Sequence, residues 1–167
     1  MSLSMYQASA PVFAHMLGNL SAILGKAEAE VDAGRLDEAA LMEARLAPDM
    51  FAFPRQVQIA SDSAKGVSRL AGREAPSMPD TETTLAQLRD RIARTVEFLN
   101  TLTAAEIDGS EDRDIELKMR DRTLNLKGQP YLLNFVTPNF YFHVTAAYAI
   151  LRSKGVPIGK PDYLGGA

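Results

Sequence analysis

The segment Tyr131–Arg152, YLLNFVTPNFYFHVTAAYAILR, constrains the fold of this chain more than any other. Its pattern predicts a long helix that is apolar on almost every side, and such a helix is buried in a core. Two polar residues, Asn139 and His143, interrupt its inner stripe four positions apart, so they share one face. Pro138 precedes them and removes one N–H from the helical ladder, which leaves the carbonyl of Asn134 without its helical partner.

Two helices are predicted before residue 45. The first begins either at the capping sequence Ser4-x-x-Gln7 or at Pro11, because a proline is tolerated only in the first turn or at a kink. Apolar residues then recur at helical spacing until the chain reaches residues 32–34, where Gly34 closes the helix. A short helix is predicted over residues 36–44.

Two longer helices follow. The second long helix starts at Pro54, a favoured first residue, and stops at Gly72. After a linker over residues 73–79, Asp80 or Thr81 is expected to cap the third. The third helix has the cleanest apolar period in the chain: Leu85, Leu88, Ile92, Val96, Leu99 and Leu102.

The polar faces of these two helices are predicted to be solvated surface, since mixed charges most simply solvate a helix. They comprise Arg55, Gln58, Asp62, Lys65 and Arg69 on the second long helix, and Arg89, Asp90, Arg91, Arg94 and Glu97 on the third. Between residues 45 and 53 the chain is apolar, which is unusual for a loop. Met50, Phe51 and Phe53 are therefore expected to fold over one end of the core.

The pattern changes to strict alternation in Asp114–Arg120 and again in Thr123–Lys127, which predicts a small β-hairpin. A two-stranded hairpin is marginally stable alone, so its apolar residues should rest on the helices. These residues are Ile115, Leu117, Met119, Leu124 and Leu126. Four substantial helices with this hairpin inserted before the last one predict an all-α four-helix bundle, formed as a single domain over residues 1–167.

Composition excludes several classes of function. A net charge of −3 gives no basic surface for nucleic acid, and charged residues recur too often for a membrane span. The first ten residues, MSLSMYQASA, lack the features of a secretory signal, so a cytoplasmic location is expected. Without cysteine there is no disulfide, thiolate ligand or cysteine nucleophile, and two histidines exclude a three-histidine metal site by counting.

The polar pair on the last helix has two interpretations. A buried amide or imidazole without a partner costs on the order of 1–3 kcal/mol, so Asn139 and His143 each need a hydrogen bond. Under the structural interpretation they form a satisfied internal pair. Under the functional one they line a small pocket between helices, where bundles hold ligands or metals. The other histidine, His15, is expected at the boundary of the first helix, near Asn19.

Four segments carry a family resemblance: Asn19–Leu24, Arg45–Phe51, Arg55–Ala60 and Pro138–Thr145. They resemble an uncharacterised bacterial family, known only as a domain of unknown function, within the DinB/YfiT-like metalloenzyme superfamily. The resemblance covers nearly the whole chain. It implies a DinB-like four-helix bundle of up-down-down-up topology, and it implies a homodimer.

The resemblance also implies where a functional site would lie. Active members of the superfamily hold nickel or zinc with one histidine from the second helix and a His-x-x-x-His pair from the fourth. Some use the metal in thiol-dependent transferase or isomerase chemistry. When the helix ends are aligned at Ala149–Arg152, His143 matches the second histidine of the pair and Asn139 replaces the first. Gln56 or a neighbour stands at the second-helix position, so one ligand of three remains, and His143 alone would bind metal weakly.

We therefore expect a bundle without a catalytic metal that keeps a small-ligand pocket around Asn139, His143 and Gln56, with Tyr141 or Tyr148 lining it if either turns inward. No cofactor is expected. The alternative is a nickel- or zinc-dependent thiol S-transferase or isomerase that uses His143. A third hypothesis, a partner-binding protein, depends on the apolar loop before the second long helix.

Overall fold

Helices form most of this protein, whose computed structural model describes residues 2–119 and 121–166. In chain order the helices are α1 Ala10–Asp32, α2 Glu38–Glu43, α3 Phe53–Lys65, α4 Leu85–Leu99, α5 Ala104–Ile107, α6 Gly128–Tyr131, α7 Thr137–Ser153 and α8 Lys160–Leu164. A 3-10 turn, Gly66–Ala71, extends α3, and the strands β1 Asp114–Lys118 and β2 Thr123–Lys127 pair before α6. The predicted all-α bundle with an inserted hairpin is confirmed.

The capping sequence near the N-terminus does form, but it does not start the first long helix. Ser4 and Gln7 make the reciprocal hydrogen bonds of a capping box, each 3.2 Å long. These bonds close only an isolated turn. The regular helix α1 begins at Ala10, with Pro11 in its first turn. Of the two predicted starts, the one at the proline is therefore correct, because proline fits the first turn and no later one.

The other helix limits follow from local chemistry. Gly34 and Gly72 adopt the left-handed conformation, with φ of +69° and +66°, at the predicted stops. The cap of α4 is Thr84, whose hydroxyl accepts the N–H three residues further on. The prediction of Asp80 or Thr81 was wrong, because Asp80 forms ion pairs with arginines of α3 and α4 instead.

The four long helices have the up-down-down-up order. Two pairs of helices are antiparallel. For α3 and α7 the bonds Gln56–His143 and Ser63–Asn139 progress in opposite chain directions. For α1 and α4, Gly18 and Val96 line the same groove, whereas further along α1 Glu28 bonds the earlier α4 residue Arg89. Contacts between α3 and α4 progress in the same direction, from Ser61–Thr95 within the helices to Arg73–Thr101 just after them. Helices α3 and α4 are therefore parallel, and the linker before α4 runs back along the bundle.

The last long helix is continuous from Gly128 to Ser153 but changes its winding in the middle. Between α6 and α7 lies one π-helical turn, Leu132–Val136, in which the N–H of Thr137 donates to the carbonyl of Leu132. Pro138 follows at once. The sequence predicted only the lost N–H of the proline, not this π turn, a feature that occurs in helices mostly as a single turn and often at functional sites.

Arg91 contradicts the prediction of a solvated stripe on the third long helix. Its side chain is 0% exposed, beneath the linker that precedes α4. The guanidinium contacts Asp62 at 2.9 Å, Asp80 at 3.0 Å and Glu82 at 3.0 Å, and it donates to the carbonyl of Pro79 at 3.1 Å. A buried charge requires such partners. Residues 79–82, at the end of the predicted linker and before α4, supply three of the four, so the whole segment before α4 is a packed part of the fold.

The same linker covers part of the second predicted stripe. Lys65 is buried and bonds Asp62 at 2.9 Å and the carbonyl of Pro76 at 3.1 Å. Gln58 is buried too and donates to Glu82 at 3.0 Å. The expectation of a solvated face is wrong for these two residues, since a chain segment lies where solvent was expected.

The hairpin rests on the helices through its inward side chains. Leu117 pairs with Leu124, and Ile115 pairs with Leu126. Ile115 and Leu117 are buried and the β2 pair is half-buried, as predicted. Met119, by contrast, is 40% exposed, because it lies beyond the last paired residue of β1. The predicted strand end at Arg120 lies outside the described residues.

The apolar loop before α3 is only partly inserted in the core. Phe53 is completely buried, and Met50 is half-buried. Phe51 is 56% exposed, so its predicted burial was wrong. Its ring instead packs under the guanidinium of Arg55, 5.8 Å from the ring centre. None of the helices described here has an apolar stretch long enough to cross a membrane.

Candidate functional site

His143 and Gln56 form a buried hydrogen-bonded chain between α7 and α3. The imidazole Nδ1 lies 2.7 Å from Gln56 Oε1, and Gln56 Nε2 donates to the carbonyl of Phe51 at 3.0 Å. Because a carbonyl can only accept, the amide group must face Phe51 with its NH₂, and its oxygen must face the ring. The proton of a neutral His143 therefore lies on Nδ1.

The surroundings of His143 favour its neutral form. Burial lowers the pKa of the imidazole below its usual value, and the positive charge of Arg55 lowers it further. The ring is 7% exposed and Gln56 1% exposed. This pair connects two helices and fixes the loop before α3. His143 therefore has the buried hydrogen-bond partner that the structural interpretation requires.

Asn139 lies one helical turn earlier on α7 and has a different environment. Its Nδ2 donates to Ser63 Oγ at 2.7 Å, and both side chains are half-buried. In this arrangement the Asn139 Oδ1 keeps its acceptor capacity and the Ser63 hydroxyl keeps its proton to donate. Both groups line a cleft of about 240 Å³. The two predicted polar residues thus have distinct roles: one is sealed, and one faces open space.

This cleft, which we call the Asn139 cleft, lies between α3, the π turn and the end of β1. Its polar lining comprises Asp62, Ser63, Arg69, Lys118, Tyr131 and Asn139. Its apolar lining comprises Ile59, Leu117, Met119, Phe135 and Val136. A concave apolar surface with a few convergent polar groups is the usual composition of a small-molecule site, and a volume below the usual ~300–1,000 Å³ suits only a small ligand.

One end of the cleft is built by a close approach of Tyr131 to the chain. The phenol donates to the carbonyl of Gly66 at 2.9 Å, and Arg69 Nη1 donates to the phenol oxygen at 3.4 Å. A Cβ on Gly66 would lie 2.8 Å from that oxygen, so the absence of a side chain permits the contact. Burial raises the pKa of Tyr131 despite the charge of Arg69, so the phenol remains a neutral donor.

The predicted pocket residues are therefore only partly brought together. Asn139 lines the cleft, whereas Gln56 and His143 bond each other outside its lining. Tyr141 lines a separate groove on the other side of α7, and Tyr148 packs edge-on against Tyr163 at 5.8 Å. The expectation that either tyrosine completes the pocket is not supported by these positions.

Of the six polar residues in the lining, sequence reasoning predicted only Asn139. Ser63 was at the boundary of its helix and Arg69 was in a stripe expected to be solvated. Tyr131 was visible only as the first residue of the long apolar helix. A signal for Ser63 existed, because it lies seven positions after Gln56, two helical turns along the same face of α3.

The residues at the metal positions that the family resemblance implies, Gln56, Asn139 and His143, do not fit a nickel or zinc ion. They supply one imidazole and two neutral amides, and an amide oxygen is a weak ligand for either ion. Nδ1 of His143 carries the proton of the bond to Gln56, so its Nε2 is the one imidazole lone pair at these positions, and a catalytic zinc normally keeps three protein ligands. Within residues 2–119 and 121–166, no group of three or more His, Asp or Glu residues is arranged to hold a metal ion.

Comparison with known proteins agrees with this fold. The family described as Domain of unknown function (DUF1993) matches residues 5–164 of the chain. The crystal structure of a DinB family member protein from Shewanella denitrificans is similar, with a TM-score of 0.87 and 42% sequence identity over 97% of this chain and 92% of that chain. No curated protein matches. The predicted DinB-like bundle and the predicted domain of unknown function are both confirmed.

Proposed function

We propose that this protein binds a small molecule in the Asn139 cleft. The chain belongs to the family described as Domain of unknown function (DUF1993). The observation that carries the proposal is the Asn139–Ser63 pair, whose free acceptor and free donor line open space on an otherwise apolar helix. A half-buried polar pair contributes little to the packing of the core. Its free donor and acceptor contribute favourable free energy mainly when a ligand completes their hydrogen bonds.

The His143–Gln56 pair supports this site from behind. It holds α7 against α3 one turn away from Asn139, which limits the movement of the cleft wall. We regard this pair as what remains at the position of a former metal site. The alternative, a metal-dependent thiol S-transferase or isomerase, requires donors that the side chains at this position do not offer. We place the protein in the cytoplasm, because a chain without cysteine needs no oxidising compartment for its fold.

A fragment titration followed by ¹H–¹⁵N NMR tests the proposal. We expect compact amphipathic probes to shift the amides of residues 59–69 and 131–139 in the wild-type protein. Asn139→Leu should lose these shifts while keeping the thermal melt of the wild type within a few degrees. Asn134→Leu changes an exposed asparagine on the same helical stretch and serves as the matched control. Retained binding in Asn139→Leu would contradict the proposal.

A metal assay separates the proposal from its alternative. Protein prepared without a histidine tag should hold less than stoichiometric nickel or zinc. His143→Ala should leave that content unchanged. Stoichiometric metal that is lost in His143→Ala would support the enzyme and overturn our assignment of the pair.

We also propose that the protein forms a homodimer through the outer side of α7. Phe142 is 57% exposed beside an apolar groove of about 400 Å³, and Leu46 and Phe51 are exposed on the neighbouring loop. Three large apolar side chains exposed close together are typical of an interaction surface. Sedimentation should give a dimer for the wild type and a monomer for Phe142→Glu. A monomeric wild-type protein at high concentration would contradict this interface.

A further inference from the structure

The Asn139 cleft has a cation at its mouth that the fold does not neutralise. Arg69 projects from the 3-10 turn, and the only hydrogen bond of its side chain within the described residues is the 3.4 Å contact with the neutral phenol of Tyr131. Arg91, in the same bundle, contacts three carboxylates. A guanidinium has five N–H donors, so Arg69 retains most of its donors for a further partner.

The charges around the cleft favour a monoanion. Its lining contains two cations, Arg69 and Lys118, and one carboxylate, Asp62. Asp62 is not available to balance Arg69, because the same Oδ1 atom is bonded by Lys65 and Arg91, each at 2.9 Å. Lys118 is paired with Glu116 at 3.3 Å, so the positive charge that remains at the cleft is that of Arg69.

The rest of the lining determines what the anion is attached to. It includes the apolar side chains of Phe135, Val136 and Leu117, and the Asn139–Ser63 pair adds one free acceptor and one free donor. We infer, on the basis of the proposed function, that the ligand is a compact carboxylic acid with an apolar body. The guanidinium of Arg69 binds the carboxylate. Both groups are planar, so they can form two parallel N–H···O hydrogen bonds.

Three probes of one shape test the inference: benzoate, benzamide and benzamidine carry charges of −1, 0 and +1. At pH 7 and low salt we expect wild-type protein to bind benzoate most tightly, benzamide less tightly and benzamidine least. The NMR shifts should occur at the backbone amides of the cleft. Arg69→Gln should weaken benzoate about ten-fold or more and change benzamide by less than about two-fold. Arg94→Gln, on the far helix α4, is the matched control and should change neither.

The outcomes separate this inference from the proposal on which it rests. Equal binding of benzoate and benzamide at the cleft amides, unaffected by Arg69→Gln, would overturn the carboxylate and leave ligand binding in place. Cleft shifts that remain in Asn139→Leu but disappear in Arg69→Gln would support the carboxylate and contradict the role of Asn139. No shift at the cleft from any probe at millimolar concentration would overturn both.

Discussion

His143→Leu is the substitution that most sharply separates a buried structural pair from an open site. Leucine fills a similar volume, so the change creates little cavity. It does remove the 2.7 Å bond to Gln56, whose side chain is 1% exposed and cannot reach water instead. An unsatisfied buried amide oxygen costs about 1–3 kcal/mol, and this is the loss of unfolding free energy that we expect.

The expected loss is measurable by two independent methods. For a chain of this length, each 1 kcal/mol moves the melting temperature by roughly 2–4 °C, and urea midpoints give the free energy directly. His15→Leu is the matched control: His15 is exposed, its one contact to Asn19 is 3.4 Å long, and the change should stay within about 0.5 kcal/mol.

A double-mutant cycle then tests whether the two side chains act as a pair. Gln56→Leu alone leaves the His143 N–H and the Phe51 carbonyl unpaired, whereas the double variant removes both members of the 2.7 Å bond. The coupling energy should be about 0.5–3 kcal/mol in the direction that makes the double variant more stable than the sum of the single changes. A His143→Leu protein as stable as wild type, with zero coupling, would refute the assignment of a sealed pair.

Three further predictions concern stability. Arg91→Met should lower the free energy of unfolding by about 3 kcal/mol in urea melts, because it leaves Asp80 and Glu82 without their buried cation. A loss below about 0.5 kcal/mol would show that the packing of this segment does not depend on Arg91. Gly128→Ala should cost about 3 kcal/mol or more in the same assay, since a Cβ would lie 1.9 Å from the backbone oxygen of Ser110, and a wild-type midpoint would contradict that contact. His143 should also make stability depend on pH. Its pKa is lowered in the folded state, so the unfolded state takes up the proton first as pH falls below about 6.5, and stability decreases until the folded pKa is passed. The pH profile of wild type minus that of His143→Leu isolates this contribution, and a flat difference between pH 7 and 5 would contradict it.

The sequence was most informative about helices whose apolar residues recur at helical spacing. The pattern of α4 predicted a helix that exists, and the inward placement of Asn139 and His143 on α7 was correct. The spacing of apolar residues, however, shows only which face of a single helix is buried. It cannot show that the linker lies over Arg91 and Lys65, because that contact depends on where a distant irregular segment packs.

The same limit applies to the site. The four-residue spacing of Asn139 and His143 places them on one face of the helix. The spacing alone does not show that their surroundings differ. They differ because α3 offers Gln56 to one and Ser63 to the other, and because the hairpin and the π turn leave space only beside Asn139. Arg69 resembled any solvated arginine, and its relation to Tyr131 becomes visible only when the 3-10 turn and the last helix are adjacent.

A crystal structure of untagged protein soaked with benzoate, with anomalous data at the nickel and zinc edges, tests the central claim most directly. We expect the carboxylate to lie against Arg69 and the ring to lie in the cleft beside Asn139 and Ser63. We expect no anomalous peak at His143. Benzoate bound only in the Phe142 groove, or a metal ion bound to His143, would contradict the proposed ligand site.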